Sequence, residues 1–306
     1  MSELRIIYMG TPEFAVPSLK LLVEHGWNVV AVVTAPDKPQ GRGRKLMGSP
    51  VKQAAEELGI PVLQPTNLKS PDFVEELRSY KADVQVVVAF RMLPEVVWDM
   101  PPKGTFNLHA SLLPDYRGAA PINWAIINGE KVTGVTTFFL KHEIDTGNII
   151  FQEEEPIHAE DNVGSLYERL MERGAKLVLK TIEGIAQNTI VTKPQDESKA
   201  MHPAPKLYKE MGEIDWTQSA ESIHNLVRGL SPYPAAWTSI NGRTCKIYTT
   251  EVIDKSLVNL QPGAYHTDGK KTLHYQTGHH ALAILELQME GKKRMGVEEF
   301  LRGNKL

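Results

Sequence analysis

Cysteine is nearly absent from this chain. Cys245 stands alone among 306 residues, so no internal disulfide can form, and a reducing compartment is expected. Long apolar runs are missing too. No stretch approaches the ~18 residues that cross a bilayer, and the opening MSELRIIYMG lacks the apolar core of a signal peptide. A cytoplasmic protein with no membrane partner is the expectation. Charge of one sign is not in excess. A net charge of −3 argues against a wholly basic surface, though local patches stay open. There are no internal repeats and no low-complexity segments. The chain also lacks G-x-S-x-G, G-x-G-x-x-G, P-loop, H-E-x-x-H and paired-cysteine patterns. Those absences disfavour an acyl-enzyme on an elbow serine, a dinucleotide site, a nucleotide P-loop and a catalytic zinc. The hydrophobic content of 42% is ordinary, and the length suits about two domains. A monomer is expected.

The densest chemistry lies in Gly104–Gly118, GTFNLHASLLPDYRG. Asn107 and His109 flank apolar Leu108, and residues i and i+2 of a strand share a face. The amide and the imidazole are therefore expected to project together, with Leu108 on the other side. Pro114 and Gly118 punctuate the following loop, so the pair sits near the C-terminal end of a strand, where open α/β sheets bind ligands. Either residue alone is more often a hydrogen-bonded structural group. For the pair, the structural and the functional readings stand level.

Taken in order, Arg5–Met9 reads as a buried strand ending at Gly10. An amphipathic helix follows, from Pro12 to Gly26, and then a strand over Trp27–Val33. This is a β–α–β unit, the start of a parallel sheet. The loop Thr34–Lys52 is rich in Pro and Gly and is expected to be neither helix nor strand. It carries Lys38, Arg42, Arg44, Lys45 and Lys52 against Asp37 alone. A charge run is usually a solvated face. On a long loop at the presumed ligand-binding edge it points to a polyanionic substrate. Ser49–Leu58 and Pro71–Tyr80 read as helices and Ile60–Leu63 as a strand. Asp83–Phe90 reads as a central strand buried on both faces. Thr105–Leu108 is the next strand, Gly118–Asn128 a helix, and Val132–Leu140 a β-branched strand that runs into the turn carrying Asp145. Asn148–Glu155 is a further strand. A long packing helix is expected from Val163 to Ala186. Thr189–Pro205 reads as a linker.

Beyond it the pattern changes. Ala220–Leu230 is a helix with Ile223, Leu226, Val227 and Leu230 on one face. Five short strands follow: Ala236–Ile240, Thr244–Val252, Gly263–His266, Thr272–Gln276 and Ala281–Gln288. Turns at Asn241-Gly242 and Asp268-Gly269 separate some of them. That count suits a small OB-type barrel. From Lys206 onward there are 13 basic and 11 acidic residues. The resulting weak positive charge, with the basic loop, fits an extended anionic partner.

If the Asp145 turn returns to the edge that holds Asn107 and His109, three complementary groups meet. An Asn amide donates a neutral hydrogen bond. A His donates or moves a proton near neutrality. An Asp holds the His and accepts a proton in turn. Ser111 is a possible nucleophile but a disfavoured one. Direct transfer of an acyl group between two bound substrates is the preferred chemistry, with Asn107 and His109 on the oxyanion and Asp145 on the proton of an attacking amine. One oxyanion donor is worth roughly 10²–10³ in rate. A metal held by His, Asp and Asn is the competing reading. The His279-His280 doublet reads as a surface pair.

NLHASLLPDYRGAAPINWAI, with DTG some thirty residues on, resembles the 10-formyltetrahydrofolate-dependent formyltransferases. The resemblance extends over almost the whole chain, through IIYMGTPEFAVPSL, APDKPQGRGRKLMGSPVK, KLYKEMGEIDW and VRGLSPYPAAW. It points to the branch that formylates methionyl-initiator-tRNA. It implies an α/β fold: a doubly wound, mostly parallel, Rossmann-like formyltransferase domain over residues 1–188, a linker over 189–205, and an OB-like tRNA-binding domain over 206–306. It implies Asn107, His109 and Asp145 as the catalytic triad. Ser111, Leu112, Leu113 and Pro114 match the family's folate-binding segment, and Phe90, Arg91, Met92 and Leu93 fall where the pteridine pocket is lined. Lys38, Arg42, Arg44 and Lys45 match the loop that enters the tRNA acceptor end. 10-Formyltetrahydrofolate is implied as co-substrate, with no metal and no permanently bound cofactor. Two positions depart from the pattern: Arg91, where many relatives have Gly, and Glu143, where a small or apolar residue is expected. Other readings are formyl transfer to a nucleotide sugar or a purine precursor, hydrolysis of formyl-folate, or an RNA-binding protein with a vestigial folate site.

Overall fold

The computed structural model describes residues 4–40, 45–304 and 306. Contacts gather the chain into two compact units. One comprises Met1–Gly118, Thr133–Glu155 and Tyr167–Pro203; the other comprises Ala119–Val132, Pro156–Leu166 and Ala204–Leu306.

The first unit is built on a seven-stranded sheet. Its strands are β1 (Arg5–Gly10), β2 (Asn28–Val33), β5 (Val62–Leu63), β6 (Val84–Val88), β7 (Thr105–His109), β8 (Val132–Phe139) and β9 (Ile149–Pro156). Two short strands, β3 (Lys38–Gln40) and β4 (Lys45–Met47), form a separate antiparallel ribbon. The sheet order is β9-β8-β7-β6-β1-β2-β5. Pairing is parallel from β7 through β5, and β8 runs antiparallel to β7. The chain steps outward from β1 to β2 and β5, then returns to pair β6 on the other side of β1. The strand order therefore reverses between β1 and β6, the place where open α/β sheets form a ligand crevice.

Helices cover the strands because the sequence supplies apolar stripes for them. Helix α1 (Val16–Glu24) buries Leu19 and Leu22, and α2 (Pro50–Glu57) is capped by Ser49, whose hydroxyl accepts the Lys52 N–H at 3.0 Å. Helix α3 (Pro71–Ser79) packs Phe73, Val74 and Leu77 against Ile7, Met9, Ala31, Val33 and Val87 of the sheet. Burying a side chain of this size contributes roughly 1.5–3 kcal/mol. All five residues of β6 are buried, including Gln85, which accepts the Thr105 hydroxyl at 3.0 Å. Helix α4 spans Val163–Gln187.

The second unit holds the helix Pro121–Ile127, helix α5 (Ala220–Leu230) and an antiparallel sheet of β10 (Ala236–Ile240), β11 (Arg243–Ile253), β12 (Tyr265–Thr267), β13 (Leu273–Gln276) and β14 (Ala281–Met289). The two-residue β15 (Met295–Gly296) pairs β14. The order is β10-β11-β14-β13-β12. Ile223, Val227 and Leu230 of α5 pack on Ile247, Leu282, Ile284 and Leu287 in one core, and Leu226 lies at its margin. Asn241 and Gly242 both adopt positive φ, at 50° and 73°, and Ile240 pairs Arg243 across them. This is the tight primed turn that Asn-Gly favours.

The whole is the expected α/β class: a parallel-rich first sheet followed by a smaller antiparallel one. Three local expectations change. Thr34–Lys52 is not free of strands, because Lys38–Gln40 and Lys45–Met47 within it pair as the β3–β4 ribbon. The expected helix Gly118–Asn128 is shorter, starting at Pro121, since Arg117–Gly118 is extended. Thr189–Pro205 carries sheet pairing: Lys193 and Ile149 exchange both backbone hydrogen bonds, at 2.8 and 2.9 Å. No helix among the described residues is long and apolar enough to cross a membrane.

Candidate active site

The site lies on the first unit, at the edge where β1, β6 and β7 end. Gly10 pairs Val88, and Val88 pairs Leu108, so the ends of the three strands lie level. A cleft of about 440 Å³ opens at the strand reversal. Thr11 and Pro12 after β1, Ala35, Pro36 and Lys38 after β2, and Ala89, Phe90 and Arg91 after β6 line it. Gly10 admits the close packing beneath, since a Cβ there would come within 2.7 Å of the Ala15 Cβ.

Asn107 and His109 share one face of β7. Leu108 points the other way, against Gly174 of α4, where a Cβ would approach its side chain to 2.7 Å. Asn107 is half-buried, and its amide makes no hydrogen bond among the described residues. His109 is buried, and its Nε2 lies 2.8 Å from the Tyr116 carbonyl. A carbonyl only accepts, so Nε2 carries the proton. The other ring nitrogen of the neutral imidazole, Nδ1, is then a bare lone pair. It lies 3.9 Å from Asp145 Oδ2.

That distance is longer than a hydrogen bond. The expectation that Asp145 holds His109 therefore gives way to a different arrangement: the backbone at Tyr116 holds the ring, and the carboxylate faces its free nitrogen. The turn itself places the carboxylate. Asp145 has φ 56°, in the left-handed region, and its Oδ2 accepts the Gly118 N–H at 3.1 Å. The next glycine is obligatory: a Cβ on Gly147 would sit 1.6 Å from the Phe139 carbonyl oxygen. Glu143, the unusual residue of this turn, is exposed and has no burial cost.

The loop after β7 is anchored from β8. Thr136 lies opposite His109 in the register. Its hydroxyl donates to the Ser111 carbonyl at 2.6 Å and accepts the Leu113 N–H at 3.2 Å, while Gln152 donates to the Leu113 carbonyl at 2.9 Å. Ser111 is fully buried and donates to the Asp115 carbonyl at 2.7 Å, which leaves it no nucleophilic role. Leu112 packs on Gly134, Leu113 is buried, and the Leu113–Pro114 bond is cis.

The corner after β6 divides. Phe90 and Arg91 line the cleft, Met92 is 75% exposed, and Leu93 belongs to the core under α3. Arg91 folds back, donating to the Pro65 carbonyl and, at 3.1 Å, to that of Thr66; its guanidinium lies 5.6 Å from the centre of the Phe90 ring. Of the basic loop, Lys38 is exposed on the cleft rim, with no ion pair among the described residues. Lys52 is neutralised by Asp37 at 2.7 Å. Arg42 and Arg44, and the side chain of Lys45, lie outside the described residues. Sequence reasoning passed over Tyr116, Gly118 and Gln195, because two act through the backbone and the third lies in a segment without periodicity.

Known proteins resemble this chain over its full length. The methionyl-tRNA formyltransferase of Bacteroides fragilis is 52% identical over 98% of this chain and 95% of its own. An N-formyltransferase from Helicobacter canadensis, solved with folinic acid and dTDP-3-aminofucose, has the same fold: TM-score 0.70, 21% identity, 94% of this chain and 99% of that one. HypX from Aquifex aeolicus, solved with tetrahydrofolic acid, matches at TM-score 0.64 and 20% identity over 98% of this chain, which spans 47% of that one. The formyl transferase model matches residues 4–182, and the model of the formyl transferase C-terminal domain matches 206–305. The chain belongs to the formyl transferase family.

Proposed function

We propose that this chain transfers the formyl group of 10-formyltetrahydrofolate to the α-amino group of methionyl-initiator-tRNA. The observation that carries the reading is the meeting of Asn107, His109 and Asp145 at the end of β7, with Nδ1 of the imidazole 3.9 Å from the carboxylate. The amine attacks the formyl carbon, and the carbonyl oxygen takes up the electron pair. The unpartnered Asn107 amide stabilises that oxyanion together with His109 in its imidazolium form, in which Nε2–H stays on the Tyr116 carbonyl and Nδ1 carries a second proton. Asp145 accepts the proton that the attacking nitrogen loses. Collapse expels N10 of the folate, which leaves as N10–H with a proton returned from the site. The products are the formamide and tetrahydrofolate. Such preorganised donors contribute because charge develops where they already point.

Folate is assigned to the cleft between β1 and β6, with Phe90 and Arg91 as its wall, and Met92, Leu93 and Ser111–Pro114 are assigned to the same ligand. Lys38, Arg42, Arg44 and Lys45 are assigned to the RNA backbone near the acceptor end. Catalysis is assigned to the first unit and tRNA binding to the second, so the expected division at 188 and 206 shifts: residues 119–132 and 156–166 go with the second unit and 189–203 with the first. A cytoplasmic monomer without a bound metal fits this chemistry. Support for the acceptor comes from the 52% identity to a methionyl-tRNA formyltransferase.

The test is an acceptor competition. Purified protein is given formyl-folate with methionyl-initiator-tRNA, a nucleotide amino sugar, or water alone. Formyl on the tRNA, with no more than background on the others, is the expected result. Formyl on the sugar alone, or formate release without an acceptor, contradicts the proposal.

A further inference from the structure

Gln195 sits in a segment that composition alone reads as linker. From Lys193 to Met201 every residue but Gln195 is exposed. Its amide is committed on both sides. Nε2 donates to the Asp145 carbonyl at 2.7 Å and to the Gly147 carbonyl at 2.8 Å. Oε1 accepts from Arg117 Nε at 3.2 Å and Nη2 at 2.6 Å. The opposite amide orientation would set an oxygen against two carbonyls and an NH₂ against a guanidinium, so the assignment is unambiguous. Glu197 holds the far side of Arg117, at 2.8 Å on each oxygen. The backbone exchange between Lys193 and Ile149 pins the segment to β9.

One side chain thus spans the Asp145–Gly147 turn and the guanidinium of Arg117, whose neighbour Gly118 donates to the Asp145 carboxylate. Both ends of the Asp145 residue, carbonyl and carboxylate, are tied to this one cluster. We propose that Gln195 is a positioning residue that holds the left-handed Asp145 turn and so aims the carboxylate at His109 Nδ1. It sets turnover without touching either substrate. The inference rests on the reading of Asp145 as a proton acceptor.

The test is a double-mutant cycle on the full-length protein. Gln195→Glu keeps the volume and the acceptor for Arg117 but cannot donate to the two carbonyls. Gln195→Met removes every polar contact without adding charge. Each is expected to lower kcat at least about tenfold, with KM for tRNA and folate within about twofold. In an Asp145→Asn background the same changes are expected to cost less than about twofold, because the group they position is already disabled. An equal loss in both backgrounds overturns the proposal, as does an effect confined to KM. A Gln195→Met chain that melts before it can be assayed marks the residue as structural and overturns it as well. If Asp145→Asn alone turns over at the wild-type rate, the reading of Asp145 itself fails, and that outcome is separate from the others.

Discussion

A single amide illustrates how this site is prepared. A half-buried Asn with no protein hydrogen-bond partner keeps its amide available to a bound group. Asn107 is in that position on β7. An oxyanion is the strongest acceptor such an amide can meet. Asn107→Ala is therefore expected to lower kcat by roughly 10²–10³, while the melting temperature stays level or rises. Stopped assays and a thermal melt check this together. A large loss of stability with little loss of kcat contradicts it. His109 carries a second instruction at the same scale. With Nε2 bound to the Tyr116 carbonyl at 2.8 Å, only Nδ1 is free to serve the reaction. The sequence shows that His109 and Asn107 share a face, because strand periodicity is local. It does not show which nitrogen works, because that depends on a carbonyl seven residues away.

At the scale of elements, the anchoring of α4 to β9 offers the clearest test. Glu155 is 4% exposed and accepts from Arg169 at 2.7 Å and Arg173 at 2.6 Å. Burial alone would raise its carboxyl, but the hydrogen bonds and charges of the two arginines outweigh burial and hold it below the ordinary range. The folded state therefore gains from ionisation above the unfolded value of about 4.3, and that gain is lost as pH falls through the lower folded value. Breaking a buried pair costs 3–5 kcal/mol. With each arginine about a third exposed, Glu155→Gln is expected to cost about 2 kcal/mol at pH 7. Urea unfolding of both proteins should show that gap closing toward pH 3. A gap that stays constant contradicts the pairing. The elements themselves were largely legible. The buried run of β6, the Asn241-Gly242 turn and the apolar face of α5 all follow from periodicity and turn chemistry. The β3–β4 ribbon and the pairing at Lys193 were not. The ribbon is two three-residue strands without apolar alternation, one of them holding Pro39, and Lys193 pairs with Ile149 far away in sequence, so periodicity marks neither.

At the scale of the molecule, the charge of −3 conceals a division. Lys38, at the start of the basic stretch after β2, stands exposed on the rim of the cleft at the strand reversal. An acceptor of RNA size then couples binding to salt. Four phosphate contacts give a slope near −0.9 for each, so affinity for methionyl-initiator-tRNA is expected to fall roughly a hundredfold between about 50 and 200 mM salt. Filter binding across that range checks it, and salt-insensitive binding contradicts a role for the loop. On the proposed reading, charge at this scale bears on which substrate arrives, and the chemistry depends on three side chains meeting. The most direct measurement of that meeting is single-turnover transfer of labelled formyl from 10-formyltetrahydrofolate to methionyl-initiator-tRNA by Asp145→Asn, with both substrates saturating. The expected rate is at least about a hundredfold below that of the unaltered chain, with tRNA affinity and melting temperature unchanged. Transfer at the unaltered rate would mean that the carboxylate 3.9 Å from His109 takes no part in the reaction.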